Sequence, residues 1–157
     1  TIGENITLGR FDRLEVEAGA ISSYIHMGGK IGVLVSFGFE KPETAENAEF
    51  KTMAHDVAMQ VAAAKPLCAV REDMDQAVID HEMSIYRSQA AESGKPEAIQ
   101  EKMALGRLEK FFKENTLVDQ EFVKNPDVTI SQYVAETSKK VGDKIEVKAF
   151  KLFVLGE

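Results

Sequence analysis

The sequence predicts an α+β fold: a mostly antiparallel sheet with helices packed on one side and a projecting antiparallel helical hairpin. Strand-type alternation broken by glycines fills the first forty residues, an apolar stripe at helical spacing follows, and alternation returns at the C-terminus.

The β elements come first. ENITLGRFDRLEVE (residues 4–17) alternates at Ile6 and Leu8 and, less regularly, at Phe11, Leu14 and Val16. AISSYIHM (20–27) and KIGVLVSFGFE (30–40) are two further strand candidates, separated by glycine-containing breaks. The continuous run Val33, Leu34, Val35 reads as a strand covered on both faces. Between the last two candidates stand Gly28 and Gly29. A phosphate-binding loop must lead from a strand into a helix, whose N-terminal N–H groups hold the anion. Here the glycines lead into Ile31-Gly32-Val33-Leu34-Val35, which is strand-like, and no Gly-Lys-Ser/Thr follows. Paired glycines between two strand patterns predict a hairpin turn, because such turns need positive φ.

The helices follow. Phe50, Met53, Ala54, Val57, Ala58, Val61 and Ala62 form one apolar stripe, predicting a helix from about Ala45 to Ala64, ended by Pro66. LCAV (67–70) reads as a short strand. Two helices are then expected over about 73–91, with Asp73 as N-cap, and about 97–113. They are joined by ESGKP (92–96), where Gly94 suits a helix C-terminus and Pro96 a helix start. The first carries a thin stripe of Val78, Ile79, Met83, Tyr86 and Ala90. A short joint makes such a pair an antiparallel hairpin, a device used for docking or dimerisation as well as for building a core. ENTLVDQEFVKNPDVT (114–129) reads as a loop anchored by buried Leu117, Phe122 and Val123. TISQYVAETSKKVG (129–142) predicts a short helix, started near Thr129 or Ser131 and stopped at Gly142, and a closing strand alternates at Ile145, Val147, Ala149, Leu152 and Val154.

Composition narrows the function. A length of 157 residues with 44% hydrophobic content suffices for one domain or two small packed subdomains. The formal net charge of −7 argues against nucleic-acid binding, which draws on a basic surface. It fits a soluble, cytoplasmic protein or one with a basic partner. A single cysteine, Cys68, permits no intrachain disulfide, and its apolar neighbours read as a small buried hydrophobe in preference to a reactive thiol. No apolar run reaches the roughly 18 residues of a membrane span, and the N-terminus does not read as a signal peptide. The chain starts at Thr1 without an initiator Met, so a start inside a longer protein is expected.

Catalytic chemistry finds little support. His26, His55 and His81 form no i, i+4 pair and no metal-ligand spacing, and no Gly-x-Ser-x-Gly elbow occurs. No cofactor or metal is expected. His55 reads as a partly buried or capping side chain and His81 as a solvated one. His26 stands at a strand end beside the Gly-Gly turn, where a side chain projects from a rigid support, a position suited to binding.

Several segments, in collinear order, resemble translation elongation factor Ts, the guanine-nucleotide exchange factor of elongation factor Tu. They are IGENI (2–6), YIHMGGKIGVLV (24–35), HDVAMQVAAAKP (55–66), ESGKPEAIQEKMALGRLEKFF (92–112) and LVDQEFVKNPDVTISQYV (117–134). The resemblance implies the family's C-terminal core subdomain, residues 1–72 and 114–157, with an inserted helical hairpin, 73–113, that serves self-association in some members and partner contacts in others. Family members carry an N-terminal helical domain and a core subdomain with a Thr-Asp-Phe motif, and no Thr-Asp-Phe occurs in this sequence. In the family, that Asp-Phe pair loosens the partner's magnesium and phosphate site. The resemblance also implies contact residues. Ile2 and Gly3 match a segment that meets the partner's nucleotide-binding domain, while His26, with Met27 beside it, and Val123 match contacts to the partner's third domain. The implied mode of action is partner binding, with no enzymatic chemistry and no cofactor, and a homodimer through the hairpin is possible.

Overall fold

The computed structural model describes residues 13–15 and 17–155. The first strand candidate, residues 4–17, lies largely outside them. The next two form a hairpin, β1 (Gly19–His26) and β2 (Ile31–Gly38), and the closing strand is β5 (Glu146–Val154). They make an antiparallel sheet in the order β1-β2-β5, with Tyr24 opposite Val33 and Val33 opposite Leu152. Alternation sets which side chains are covered. Ile31, Val33, Val35 and Phe37 of β2 are buried on the core face, whereas Leu34 points the other way and is half-buried. The apolar run Val33-Leu34-Val35 is therefore fully covered on the core face and partly covered on the other, where Leu34 is half-buried and Ser36 buried, so the expectation of cover on both faces holds in part. A bulge between Ser36 and Phe37 shifts the β2–β5 register. The Ser36 hydroxyl fills that gap, donating to the Ala149 carbonyl at 3.2 Å and accepting from the Ala149 N–H at 3.1 Å.

The sheet's inner face packs on α1 (Ala48–Ala64). The helix starts three residues later than its stripe suggests, because Pro42–Glu46 forms a 3-10 turn and Asn47 caps the helix, its side chain accepting from Glu49 N–H at 2.9 Å and Phe50 N–H at 3.4 Å. The predicted stripe is buried from Phe50 to Ala62, and Phe50 meets Phe37 and Phe39 edge-on at 5.6 and 5.2 Å. Lys65, in the left-handed region at φ 45°, ends α1 just before Pro66. The LCAV strand reduces to one parallel bridge, Cys68 to Thr116, before the chain turns at Arg71–Asp73.

The helical hairpin is α2 (Gln76–Ala91) and α3 (Glu97–Asn115). Asp75, not Asp73, caps α2, accepting from Ala77 N–H at 2.9 Å, since Asp73 is taken up in the preceding 3-10 turn. Met83, Ala90 and Ala104 are buried along the pair, and Arg87 bridges to Glu101 through bonds of 3.0 and 2.7 Å. The stretch read as a loop after α3 holds a 3-10 turn (Leu117–Asp119) and a small hairpin, β3 (Glu121–Phe122) and β4 (Asn125–Thr129). Leu117 and Phe122 are buried as expected. Val123 is not: it sits in the turn of that hairpin, 47% exposed. Helix α4 (Ile130–Val141) opens with a capping box, Thr129 with Gln132, and stops at Gly142 (φ 75°), as its sequence predicts. Asp143 then fastens the α4–β5 turn to the end of the β2 strand, accepting from Glu40 N–H at 3.2 Å, Lys41 N–H at 2.9 Å and the Thr44 hydroxyl at 2.7 Å. The whole is an α+β fold with antiparallel sheets.

Candidate functional site

The Gly-Gly turn is the hairpin connection its sequence predicts. Met27, Gly28 and Gly29 all have positive φ, 52°, 66° and 93°, and join two antiparallel strands. Met27 is the one that lacks a glycine's freedom there. A non-glycine residue held at positive φ and 61% exposed at the tip of a rigid hairpin is a place to look for function. His26 ends β1 in extended conformation, exposed. Tyr24, two residues earlier and therefore on the same face, lies half-buried against the core. Its ring stacks on His26 at 5.7 Å and 19°, and its hydroxyl lies 2.9 Å from His26 Nδ1. The ring of His55, from α1, meets Tyr24 edge-on at 5.3 Å. His55 is exposed and not partly buried as its sequence position suggests. His81 is exposed, as expected.

The C-terminal half of α1 ties His26 to Val123. Met59, Ala62 and Ala63 close a small apolar hollow of about 190 Å³ whose other walls are Tyr24, His26, Met27 and Ile31. The neighbouring row of the same helix, Gln60 and Ala64, lines a wider groove of about 630 Å³ that includes Val123, Arg71, Lys110 and Lys113. Successive residues of a helix stand about 100° apart, so these two rows face different ways round the last turns of α1. His26 and Val123 thus flank the same two turns of α1. Ile2 and Gly3 lie outside the described residues.

Val123 is placed by a side chain that sequence reasoning missed. Gln60 is fully buried; its Oε1 accepts the Val123 N–H at 2.9 Å, while its amide donates to the Glu121 carbonyl at 3.1 Å and to Gln120 Oε1 at 3.3 Å. The signal was present: Gln60 stands at i+3 from Val57 and i+7 from Met53, inside the apolar stripe, where a polar residue needs a buried partner. Arg71 is a second such residue. Its guanidinium forks onto Glu109 of α3 through bonds of 2.9 and 2.8 Å, bonds Asp119, and covers the Phe112 ring at 5.1 Å. Those partners lie far along the chain, so only the fold brings them together. Bonded to Glu109 and Asp119, the guanidinium is held charged, above its ordinary range.

Cys68 is buried beside the Thr116 hydroxyl, 3.8 Å away, and burial pushes its thiol up. That makes it a poor nucleophile at neutral pH. Among the described residues no group of three or more His, Cys, Asp or Glu side chains is placed to hold a metal, and no helix is long and apolar enough to cross a membrane.

The class these features define is an α+β module with a paired helical arm, in which His26 and Val123 border the last turns of α1. Comparison with known proteins gives the family: residues 1–157 match the family described as Elongation factor TS. Elongation factor Ts of Clostridium botulinum (strain ATCC 19397 / Type A) is 49% identical over 156 residues, which cover 99% of this chain and 50% of that protein. Elongation factor Ts of Desulfosudis oleivorans (strain DSM 6200 / JCM 39069 / Hxd3) is 46% identical over 143 residues, 91% of this chain and 72% of that protein. This chain belongs to the elongation factor Ts family, translation factors of protein biosynthesis. It spans about half the length of the clostridial relatives it matches.

Proposed function

We propose that this chain is the anchoring part of a guanine-nucleotide exchange factor that binds elongation factor Tu in the cytoplasm and promotes GDP release during translation elongation. His26, Met27 and Val123 hold the partner's third domain, and Ile2 and Gly3 reach its nucleotide-binding domain. The observation that supports this reading is that His26 and Val123 border openings lined by the same last two turns of α1. The work divides between a core subdomain, residues 1–72 and 114–157, and the helical arm, 73–113.

The mechanism is linkage. A protein that binds the nucleotide-free partner more tightly than its GDP-bound form must weaken GDP binding by the same factor. Rigid anchor residues serve this by holding the partner while its nucleotide site opens. The test is release of fluorescent GDP from elongation factor Tu, together with direct titration of the nucleotide-free partner. Saturable binding with faster release is the expected result. Binding without faster release would confine this chain to anchoring, and no binding would overturn the proposal.

Self-association through the arm is a second reading. Ile99 and Leu105 of α3 are 43% and 50% exposed, two separate apolar side chains on different faces of the arm that a second copy could contact. Sedimentation that finds a dimer without affinity for elongation factor Tu would favour it.

A further inference from the structure

We propose that Tyr24 is a positioning residue that fixes the tautomer of His26, so that His26 meets its partner as a hydrogen-bond donor through Nε2–H, and that the group it meets is an acceptor oxygen, a backbone carbonyl or a carboxylate. This rests on the reading of His26 as an anchor.

A neutral imidazole carries one N–H and one acceptor nitrogen, and the hydrogen bond at one nitrogen decides which is which. Here the Tyr24 oxygen lies 2.9 Å from Nδ1. A phenol hydroxyl is a better donor than acceptor, because its lone pair is delocalised into the ring, and the unprotonated ring nitrogen is the strong acceptor of an imidazole. The bond therefore runs from the Tyr24 hydroxyl to Nδ1, and the proton of the imidazole resides on Nε2. Tyr24 is itself held in place from three sides, since it packs against the core, its ring stacks on His26, and His55 closes against its edge at 5.3 Å. Two residues apart on one strand, the rings share a face without any special backbone geometry. In the free chain Nε2–H is solvated. Covered by a partner without an acceptor it would be a desolvated, unsatisfied donor, which interfaces avoid. The partner atom is therefore an oxygen acceptor and not an N–H.

The test combines a spectroscopic and a binding measurement. Long-range nitrogen–proton correlation spectra of the free chain at mildly alkaline pH report the His26 tautomer. The wild type is expected to show Nε2–H, and Tyr24→Phe, which keeps the ring and removes the hydroxyl, a mixture. Dissociation constants for nucleotide-free elongation factor Tu are then measured for Tyr24→Phe, His26→Ala and the double variant. Loss of the tautomer preference lowers the competent fraction to no less than about one half, so Tyr24→Phe should weaken binding measurably but by no more than about 2-fold, and should have no further effect once His26 is alanine. A dominant Nδ1–H tautomer in the wild type would overturn the proposal, as would an undiminished Tyr24→Phe effect in the His26→Ala background. If His26→Ala leaves affinity unchanged, the anchoring reading falls, and the tautomer assignment stands or falls on the spectra.

Discussion

Tyr133 of α4 donates its hydroxyl to the buried Asp56 carboxylate of α1 at 2.8 Å. The other carboxylate oxygen takes the Lys124 ammonium at 2.6 Å, and the Tyr133 ring stacks on Phe122 at 4.8 Å. One side chain thus joins α1, α4 and the β3–β4 turn that carries Val123. Tyr133→Phe keeps the stack and removes the donor to a buried charge. Urea denaturation should show a loss of about 1.5–3 kcal/mol. Burial, and then the adjacent Asp56 carboxylate, push the Tyr133 hydroxyl above the ordinary phenol range. A raised folded value stabilises the fold fully below the ordinary phenol pKa of about 10 and is lost as pH rises through the folded value. The stability gap between wild type and Tyr133→Phe should therefore shrink above about pH 10.

Gln60 makes a prediction separable from that one. Replacing it with leucine leaves the Val123 N–H and the Glu121 carbonyl without their partner. Each such group costs about 1–3 kcal/mol when it stays buried. A turn free to move outward avoids part of that cost by reaching water. Hydrogen exchange at the Val123 amide should accelerate in Gln60→Leu, with the midpoint of global unfolding lowered. An unchanged exchange rate would mean that the turn is held by β3–β4 pairing alone.

The same two residues explain what the sequence could and could not convey. The stripe Phe50 to Ala62, the Gly28-Gly29 turn, the Thr129 cap and the Gly142 stop were legible because each depends on neighbours within a few residues. The α1 start was misread because Asn47 and the 3-10 turn compete for the same residues as the apolar pattern. The burial expected of Val123 fails because apolar character does not tell which way a turn residue faces, and its orientation depends on Gln60, 63 residues away. His26 could be singled out from its place beside the turn, but its coupling to Tyr24 needed the strand geometry, and its shared helix end with Val123 needed the fold.

Acid should destabilise this fold through its depressed carboxylates, of which Glu146 and Asp143 tie the C-terminal strand and its preceding turn. Hydrogen bonds from Lys148 and Lys144, at 2.6 and 3.0 Å, pull Glu146 down to about 2. Burial would raise Asp143, but the N–H groups of Lys41, Glu40 and Lys144 and the Thr44 hydroxyl outweigh it and hold it below its ordinary value. A depressed carboxylate stabilises the fold above its ordinary pKa, about 4, and that contribution is lost as pH falls through the folded value. The denaturation midpoint should thus be level near neutrality and fall below about pH 4. Glu146→Gln should flatten part of that fall at low salt, since this exposed cluster is screened. Asp143→Asn should flatten a part that salt does not touch. A profile unchanged by either substitution would place the acid sensitivity elsewhere.

The two proposed anchors offer the sharpest test of the surface. His26 and Val123 are exposed, so alanine at either position should leave the unfolding free energy within about 0.5 kcal/mol of the wild type. Affinity for nucleotide-free elongation factor Tu should respond instead, with His26→Ala weakening it by about 1–2 kcal/mol, roughly 5–30-fold. Val123→Ala removes a smaller apolar contact and should cost less. The two residues are set by different partners, the His26 ring by Tyr24 and the Val123 N–H by Gln60, so the two losses should sum in the double variant. An unchanged dissociation constant for His26→Ala, with the fold intact, would remove His26 from the interface. A double variant no weaker than His26→Ala alone would remove Val123 and leave the α1 end with a single anchor.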